Sequence, residues 1–107
     1  MAAIQINKEQ FQTYAQENKV VLIDFWAPWC SYCRRIAPAY DVVAEQYGKE
    51  IVVAKVNIDE EPLWANEEKI EVIPTLVLYR EGKAIASIVA PESKAAIDTF
   101  LQENLER

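Results

Sequence analysis

The sequence predicts an α/β fold in which a mixed β-sheet is covered by helices on both faces. Two continuous apolar segments, residues 20–26 (VVLIDFW) and 51–59 (IVVAKVNID), are typical of buried parallel strands, because both of their faces are hydrophobic. Helical patterns alternate with these segments, and a hairpin and a last helix follow them. The chain has 107 residues, of which 51% are hydrophobic, so we expect residues 1–107 to form a single domain with its own core.

The first two helices are predicted from capping and from apolar spacing. Asn7 and Gln10 form a potential N-terminal capping pair, which predicts a helix near residues 8–18. Apolar residues at helical spacing predict a second, longer helix over residues 33–47. Pro38 lies inside this second helix, and we expect a kink there because proline removes one backbone donor and clashes with the preceding turn.

The second half of the chain predicts a short helix, a hairpin and a closing helix. Two acids and a proline at residues 60–62 favour a helix start, and this helix is expected to run to about Lys69. Residues 75–80 and 83–89 have strand character and flank Glu81-Gly82, which is typical of a hairpin turn. Apolar residues between positions 97 and 105 then predict an amphipathic helix.

Charge and composition exclude several classes of function. The chain has 17 acidic and 11 basic residues and contains no histidine. An acidic chain without a basic cluster is poorly suited to bind nucleic acid or an anionic membrane. The lack of histidine excludes histidine-based general-base catalysis and Cys/His zinc sites within the chain. We find no signal stretch and no segment of about 20 apolar residues, so we expect a cytoplasmic protein without nucleic-acid or membrane partners.

The only two cysteines, Cys30 and Cys33, lie in the segment WAPWCSYCRR at residues 26–35. This segment joins the first apolar strand to the second helix, and a helix N-terminus stabilises a thiolate through its free N–H groups and partial positive charge. Cys30, at the outer end, is expected to attack a disulfide, and Cys33, one turn further on, to resolve the mixed disulfide. In a reducing cytosol such a pair is more often catalytic or metal-binding than structural.

The residues alone leave other interpretations open. The cysteines are also compatible with two incidental small apolar residues, or with a metal or iron–sulfur site completed by a second subunit. Asp24 and Lys55 each interrupt an apolar strand, and a buried carboxylate has a raised pKa unless it is paired. They either form a buried ion pair, or Lys55 extends its ammonium to the edge of the sheet. The functional alternative is that Asp24 exchanges the proton of Cys33, directly or through water, while Lys55 adjusts the pKa of Asp24.

Over essentially its whole length, the chain resembles the thioredoxin family. The matching segments are residues 20–41, 53–62 and 72–83 together with the closing helix, at the family's spacing. The resemblance implies a thioredoxin fold, with a mixed sheet of about five strands flanked by about four helices on both faces. It also implies a monomeric protein-disulfide reductase that acts on disulfide-containing proteins, is recharged by a thioredoxin reductase, and has no metal and no cofactor beyond its redox-active disulfide. A thioredoxin-fold binding or chaperone module remains an alternative.

The resemblance also implies roles for individual residues. Cys30 matches the attacking cysteine, Cys33 the resolving one, Asp24 the buried acid and Lys55 its lysine neighbour. Residues with a structural role at the site are Pro38, the kink proline, and Asp59, the acid near Trp26. Pro74 matches the family's cis-proline, and Ile73 offers its backbone to an extended substrate. The residues expected to contact substrate are Trp26, Trp29, Ser31, Tyr32, Ile73, Pro74 and Ala90.

The chain departs from the family pattern between the cysteines, at Ala90, and at Glu71-Val72, where the family has a small, glycine-containing segment before the cis-proline. Ser31-Tyr32 replaces the usual Gly-Pro between the cysteines, which restores an N–H near Cys30 that can stabilise its thiolate. We therefore expect a reduction potential above that of thioredoxin, between about −270 and −180 mV. The Tyr32 ring either selects substrates or faces solvent without consequence. Ala90 stands where the family has glycine, and its methyl group is expected to crowd an incoming peptide or reductase.

Overall fold

The computed structural model describes residues 2–105, which form five strands and four helices. The strands are β1 (Ile4–Gln5), β2 (Val21–Trp26), β3 (Val52–Asn57), β4 (Thr75–Arg80) and β5 (Lys83–Val89). The helices are α1 (Lys8–Gln16), α2 (Ser31–Tyr47), α3 (Pro62–Glu67) and α4 (Lys94–Leu105). The α/β fold class and the numbers of strands and helices that the resemblance implied are confirmed.

The five strands form one mixed sheet in the order β1-β3-β2-β4-β5. The pairs of β3 with β1 and with β2 are parallel, whereas β4 is antiparallel to both β2 and β5. The strand pattern along the chain did not single out β1, because two residues are too few to show an alternation. This strand exists because Ile4 and Gln5 pair with Ala54 and Lys55 at the edge of the sheet.

Each face of the sheet is covered by two helices, as predicted. Phe11 of α1 and Trp64 of α3 pack against one face, with their ring centroids 5.1 Å apart. Apolar side chains of α2 and α4 pack against the other face, and Leu22, Leu76 and Leu78 of the sheet are fully buried beneath them. The sheet is therefore apolar on both sides, which explains why β2 and β3 are continuous hydrophobic segments in the sequence.

Turn chemistry sets the limits of several elements. Glu81 and Gly82 have φ angles of 54° and 77°, as a type I′ turn requires, so the predicted hairpin and its strand limits are confirmed. α2 begins at Ser31, two residues before the predicted start, because Cys30 serves as its N-cap. Pro38 lies inside α2, which continues past it, and the expected kink stays a prediction.

Tyr40 of α2 joins two strands through its hydroxyl group. The side chain is 1% exposed, and its oxygen lies 2.7 Å from the carbonyl oxygen of Ala54 in β3 and 3.2 Å from that of Leu22 in β2. The hydroxyl thus links the helix to the two central parallel strands in an apolar environment, where hydrogen bonds are strong and unpaired polar groups are unfavourable.

We expect Tyr40→Phe to lower the free energy of unfolding by about 1–3 kcal/mol, because it removes a buried hydrogen-bond donor and keeps the ring. Urea denaturation measures this change. Tyr14→Phe is the matched control, since the Tyr14 side chain is half-buried and its hydroxyl has no hydrogen-bond partner within residues 2–105. Equal losses in the two variants would contradict the prediction.

Candidate active site

The direction of β4 brings three segments to one edge of the sheet. Phe25 near the end of β2 pairs with Thr75 at the start of β4, and Thr75 pairs with Val89 at the end of β5. Because β4 is antiparallel to both neighbours, the residue before β4 and the residues after β2 and β5 meet at this edge. The sheet thereby gathers the cysteine segment, Pro74 and Ala90.

Cys30 and Cys33 lie at this edge and are joined by a disulfide bond. Cys30 is the N-cap of α2 and Cys33 lies in its first turn, so the predicted position at a helix N-terminus is confirmed. Cys30 is 9% exposed and Cys33 3%. The Cys33 N–H donates a hydrogen bond to Cys30 Sγ at 3.2 Å. Cys30 is therefore the more exposed of the two cysteines, and its sulfur already accepts a hydrogen bond from a backbone N–H.

Ile73, the residue before Pro74, lies beside the disulfide. The Ile73–Pro74 peptide bond is cis, as the resemblance implied, and the Ile73 carbonyl oxygen lies 3.8 Å from Cys30 Sγ. The side chain of Ile73 is half-buried and packs against the cluster formed by Ala27 and the two cysteines. The backbone of the segment before β4 therefore lies directly beside the sulfur that is expected to react.

The two tryptophans have different surroundings. Trp29 is 66% exposed, and its Nε1–H donates to both carboxylate oxygens of Asp59, at 3.2 and 3.1 Å. Trp26 instead donates to Gln5 Oε1 at 3.3 Å. Asp59 therefore accepts from Trp29 and not from Trp26, whose indole donates to Gln5 of β1. Asp59 nevertheless follows closely after Asn57 and Ile58, which pair with Trp26 across β2 and β3.

Asp24 is a buried carboxylate without a direct ion pair. The residue is 1% exposed, and its Oδ1 has no hydrogen-bond partner among residues 2–105. Burial raises the pKa of Asp24 from 3.8 to about 7, and the charge of Lys55 lowers that pKa only in part. The Lys55 ammonium lies over the Trp26 ring, 4.4 Å from its centroid. The structure thus shows a cation–π contact for Lys55, and no salt bridge to Asp24 within the described range.

The residues that depart from the family pattern between the cysteines and at Ala90 lie close together. The Tyr32 side chain is half-buried, and its hydroxyl donates to the carbonyl oxygen of Pro91 at 2.8 Å, so the solvent-facing interpretation is wrong. Ser31 is exposed. Ala90 has a φ of 44°, in the left-handed region that favours glycine. Pro91 was missed by sequence reasoning, since no local pattern indicates a contact between residues 59 positions apart.

Pro38 is exposed and lies more than one turn beyond Cys33 along α2. Across residues 2–105, no three His, Cys, Asp or Glu side chains are grouped closely enough to hold a metal ion. In the same part of the chain, no helix combines the length and the apolar character that crossing a membrane requires.

Comparisons with known proteins agree with this geometry. The family model described as Thioredoxin matches residues 2–103. The chain is 39% identical to thioredoxin 1 of Nostoc sp., over 97% of this chain and 98% of that protein. It is 40% identical to the thioredoxin of Acidithiobacillus ferridurans, over 97% of both chains. The crystal structure of a thioredoxin from Nicotiana alata matches with a TM-score of 0.83 and 23% sequence identity. The match covers 95% of this chain and 91% of that chain, and at this identity it supports the fold alone. With its CxxC disulfide at the start of α2, the chain belongs to the thioredoxin family and is a thioredoxin-type thiol–disulfide oxidoreductase.

Proposed function

We propose that the chain reduces disulfide bonds of proteins, with Cys30 as the attacking and Cys33 as the resolving cysteine. The observation that carries this proposal is the position of Cys30 Sγ, which lies at the N-terminus of α2, accepts the Cys33 N–H, and adjoins the Ile73 carbonyl. A thiolate at this position is stabilised by the helix N-terminus. An extended polypeptide can pair with the backbone at Ile73 while its disulfide reaches the sulfur.

The reaction transfers two electrons in two exchange steps. The Cys30 thiolate of the reduced protein attacks one substrate sulfur, and the other substrate sulfur leaves as a thiolate that takes up a proton. Cys33 then loses its proton and attacks Cys30 Sγ, which forms the Cys30–Cys33 disulfide and releases the second substrate thiolate. The substrate is reduced and the protein is oxidised, and a dithiol reductant, in the cell a thioredoxin reductase, restores the dithiol.

Asp24 is proposed to receive the proton of Cys33, directly or through a water molecule. A pKa of about 7 suits this role, because the carboxyl group then both accepts and returns a proton near neutral pH. Lys55 limits the rise of this pKa through its positive charge, while its contact with Trp26 holds the ammonium in place. Proton transfer would thus give the buried carboxyl group a function, although its burial is unfavourable for folding at neutral pH.

The surface around the disulfide is proposed to bind polypeptide. Trp29 is the most exposed of the aromatic residues there, and Asp59 orients its indole. Further contacts are assigned to Trp26, Ser31, Tyr32, Pro74 and Ala90, and Pro38 is assigned a structural role within α2. We expect a monomer that acts in a reducing compartment such as the cytosol, where the dithiol form persists, and that needs no further cofactor.

We expect the chain to accelerate the reduction of insulin by dithiothreitol, and Cys30→Ser to abolish this acceleration, because serine cannot form the mixed disulfide. The precipitation of reduced insulin measures the rate. Arg35→Lys, a change of an exposed residue of α2 that keeps its charge and has no assigned part in the site, is the control for local disturbance. Equal rates with wild type and Cys30→Ser would contradict the proposal.

A Cys33→Ser variant separates the enzyme from a binding module within the same assay system. The variant keeps the attacking thiol and lacks the resolving one, so a covalent adduct with insulin should accumulate and be visible by mass spectrometry. Purely non-covalent association would favour a thioredoxin-fold module whose cysteines are incidental.

We predict a reduction potential for Cys30–Cys33 above that of thioredoxin, between about −270 and −180 mV. Tyr32 brings a backbone N–H to the first turn of α2 that proline would lack, and donors at this turn stabilise the thiolate and hence the reduced form. Equilibration with glutathione buffers measures the potential. The double variant Ser31→Gly/Tyr32→Pro should have a lower potential, and a wild-type value at or below that of thioredoxin would refute the prediction.

We expect Asp24→Asn to raise the free energy of unfolding at about pH 8 by up to roughly 4 kcal/mol, the equivalent of about three pH units between the two pKa values. Between about pH 4 and pH 7 the folded chain holds one more proton on Asp24 than the unfolded chain, so wild-type stability falls as the pH rises through this window. The gain of the variant should therefore vanish toward about pH 4. Urea denaturation at several pH values checks this.

Glu45→Gln is the control for this measurement, since Glu45 is an exposed carboxylate on α2. The proton-transfer role adds a second readout: Asp24→Asn should slow insulin reduction at about pH 7 by at least about tenfold. A stabilised variant that reduces insulin as fast as wild type would leave Asp24 without a part in the chemistry.

A further inference from the structure

Tyr32 connects the cysteine segment to the loop that follows β5. Its ring lies in the first turn of α2 and packs both against the cluster of Ala27, Cys30 and Cys33 and against the larger core beneath α2 and α4. Its hydroxyl donates to the carbonyl oxygen of Pro91, a buried residue, at 2.8 Å. The bond joins one of the two residues between the cysteines to the loop that follows β5.

The loop at Ala90 and Pro91 is held in a strained conformation. Ala90 has a φ of 44°, which is an unfavourable backbone conformation for a residue with a Cβ atom. Such a conformation persists where its surroundings hold it. Two hydrogen bonds do so here: the Ala90 N–H donates to the Pro74 carbonyl oxygen at 2.8 Å, and Tyr32 donates to Pro91.

These contacts close a ring around the disulfide. Cys30 adjoins the Ile73 carbonyl, Pro74 accepts from Ala90, and Pro91 accepts from Tyr32, which lies between the two cysteines. Within residues 2–105, the bond from Tyr32 is the side-chain hydrogen bond that joins α2 to this loop. Loss of the hydroxyl group would remove this link, while the backbone bond from Ala90 to Pro74 would still hold the loop to the sheet edge.

Directly before the loop, the end of β5 presents an apolar side chain to solvent. Val89, the residue before Ala90, is 53% exposed, although it is a large hydrophobic residue. Because Ala90 donates to the Pro74 carbonyl, we expect a polypeptide paired with the backbone at Ile73 to reach Ala90, whereas a small disulfide would reach only the sulfurs and their immediate neighbours. The position of the loop therefore matters for polypeptide substrates in particular.

We propose that Tyr32 is a positioning residue that holds the Ala90–Pro91 loop at a fixed distance from the disulfide and thereby favours polypeptide disulfides over small ones. The inference rests on the proposed function, since it concerns the substrates of that same site. Its physical basis is pre-organisation: a loop already fixed in its binding position loses less conformational freedom when a polypeptide binds. Tyr32 acts through the loop and need not touch the reacting atoms.

Tyr32→Phe tests the proposal because it removes the hydroxyl and keeps the ring. The KM for insulin should rise about fivefold, which corresponds to about 1 kcal/mol, or about one hydrogen bond, at about 1.4 kcal/mol per tenfold. The value of kcat should fall by less than KM rises. The KM for hydroxyethyl disulfide, a substrate too small to reach the loop, should rise by less than about twofold. Hydrogen exchange of the Ala90 amide, followed by NMR, should become faster.

Tyr47→Phe is the matched control, because Tyr47 is a half-buried tyrosine at the other end of α2 whose hydroxyl has no hydrogen-bond partner in residues 2–105. An unchanged insulin KM in Tyr32→Phe overturns the inference, even when the exchange at Ala90 is faster, since the bond would then be only structural. Equal rises for both substrates overturn it as well. An inactive wild type overturns the proposed function and the inference with it, so the two failures are distinguishable.

Discussion

The reversed direction of β4 is the constraint on which the site depends. A sheet made only of parallel strands would bring the carboxyl ends of its strands to this edge, and the residue before β4 would lie at the opposite one. Because β4 is antiparallel to both β2 and β5, Pro74 comes to the edge where α2 begins. The register of Phe25, Thr75 and Val89 then fixes the distance between the disulfide, the Ile73 carbonyl and the loop at Ala90.

The packing of this sheet explains the properties of its one buried acid. Helices on both faces keep water from the centre of β2, so the carboxyl group of Asp24 is desolvated and its pKa is raised. Lys55 is its neighbour on β3 and turns its ammonium to the face of Trp26, which leaves the acid without a direct partner. The arrangement is unfavourable for folding at neutral pH, and the proposed transfer of the Cys33 proton would give this carboxyl group a function in a chain that contains no histidine.

The hydrogen bond of Tyr32 connects a departure from the family pattern between the cysteines to the loop that follows β5. A residue between the cysteines would belong only to the first turn of α2 if its side chain were small. Tyr32 is long enough to reach Pro91, and the loop it contacts carries Ala90 in a conformation that glycine adopts more easily. The departures at Tyr32 and at Ala90 are therefore neighbours in space, and the hydrogen bond of the first helps to hold the strain of the second.

The sequence by itself determined the fold class, the order of most elements and the identity of the redox pair. Apolar segments, capping residues and the turn at Glu81-Gly82 depend on a few neighbouring residues. Local sequence patterns therefore predict the elements that they form. Tertiary structure decided the short strand β1, the partner of Asp59, the cation–π contact of Lys55 and the bond from Tyr32 to Pro91. Each of these contacts joins residues that are distant in sequence. Which side chains meet depends on strand register and on helix placement, and no local sequence pattern encodes either of them.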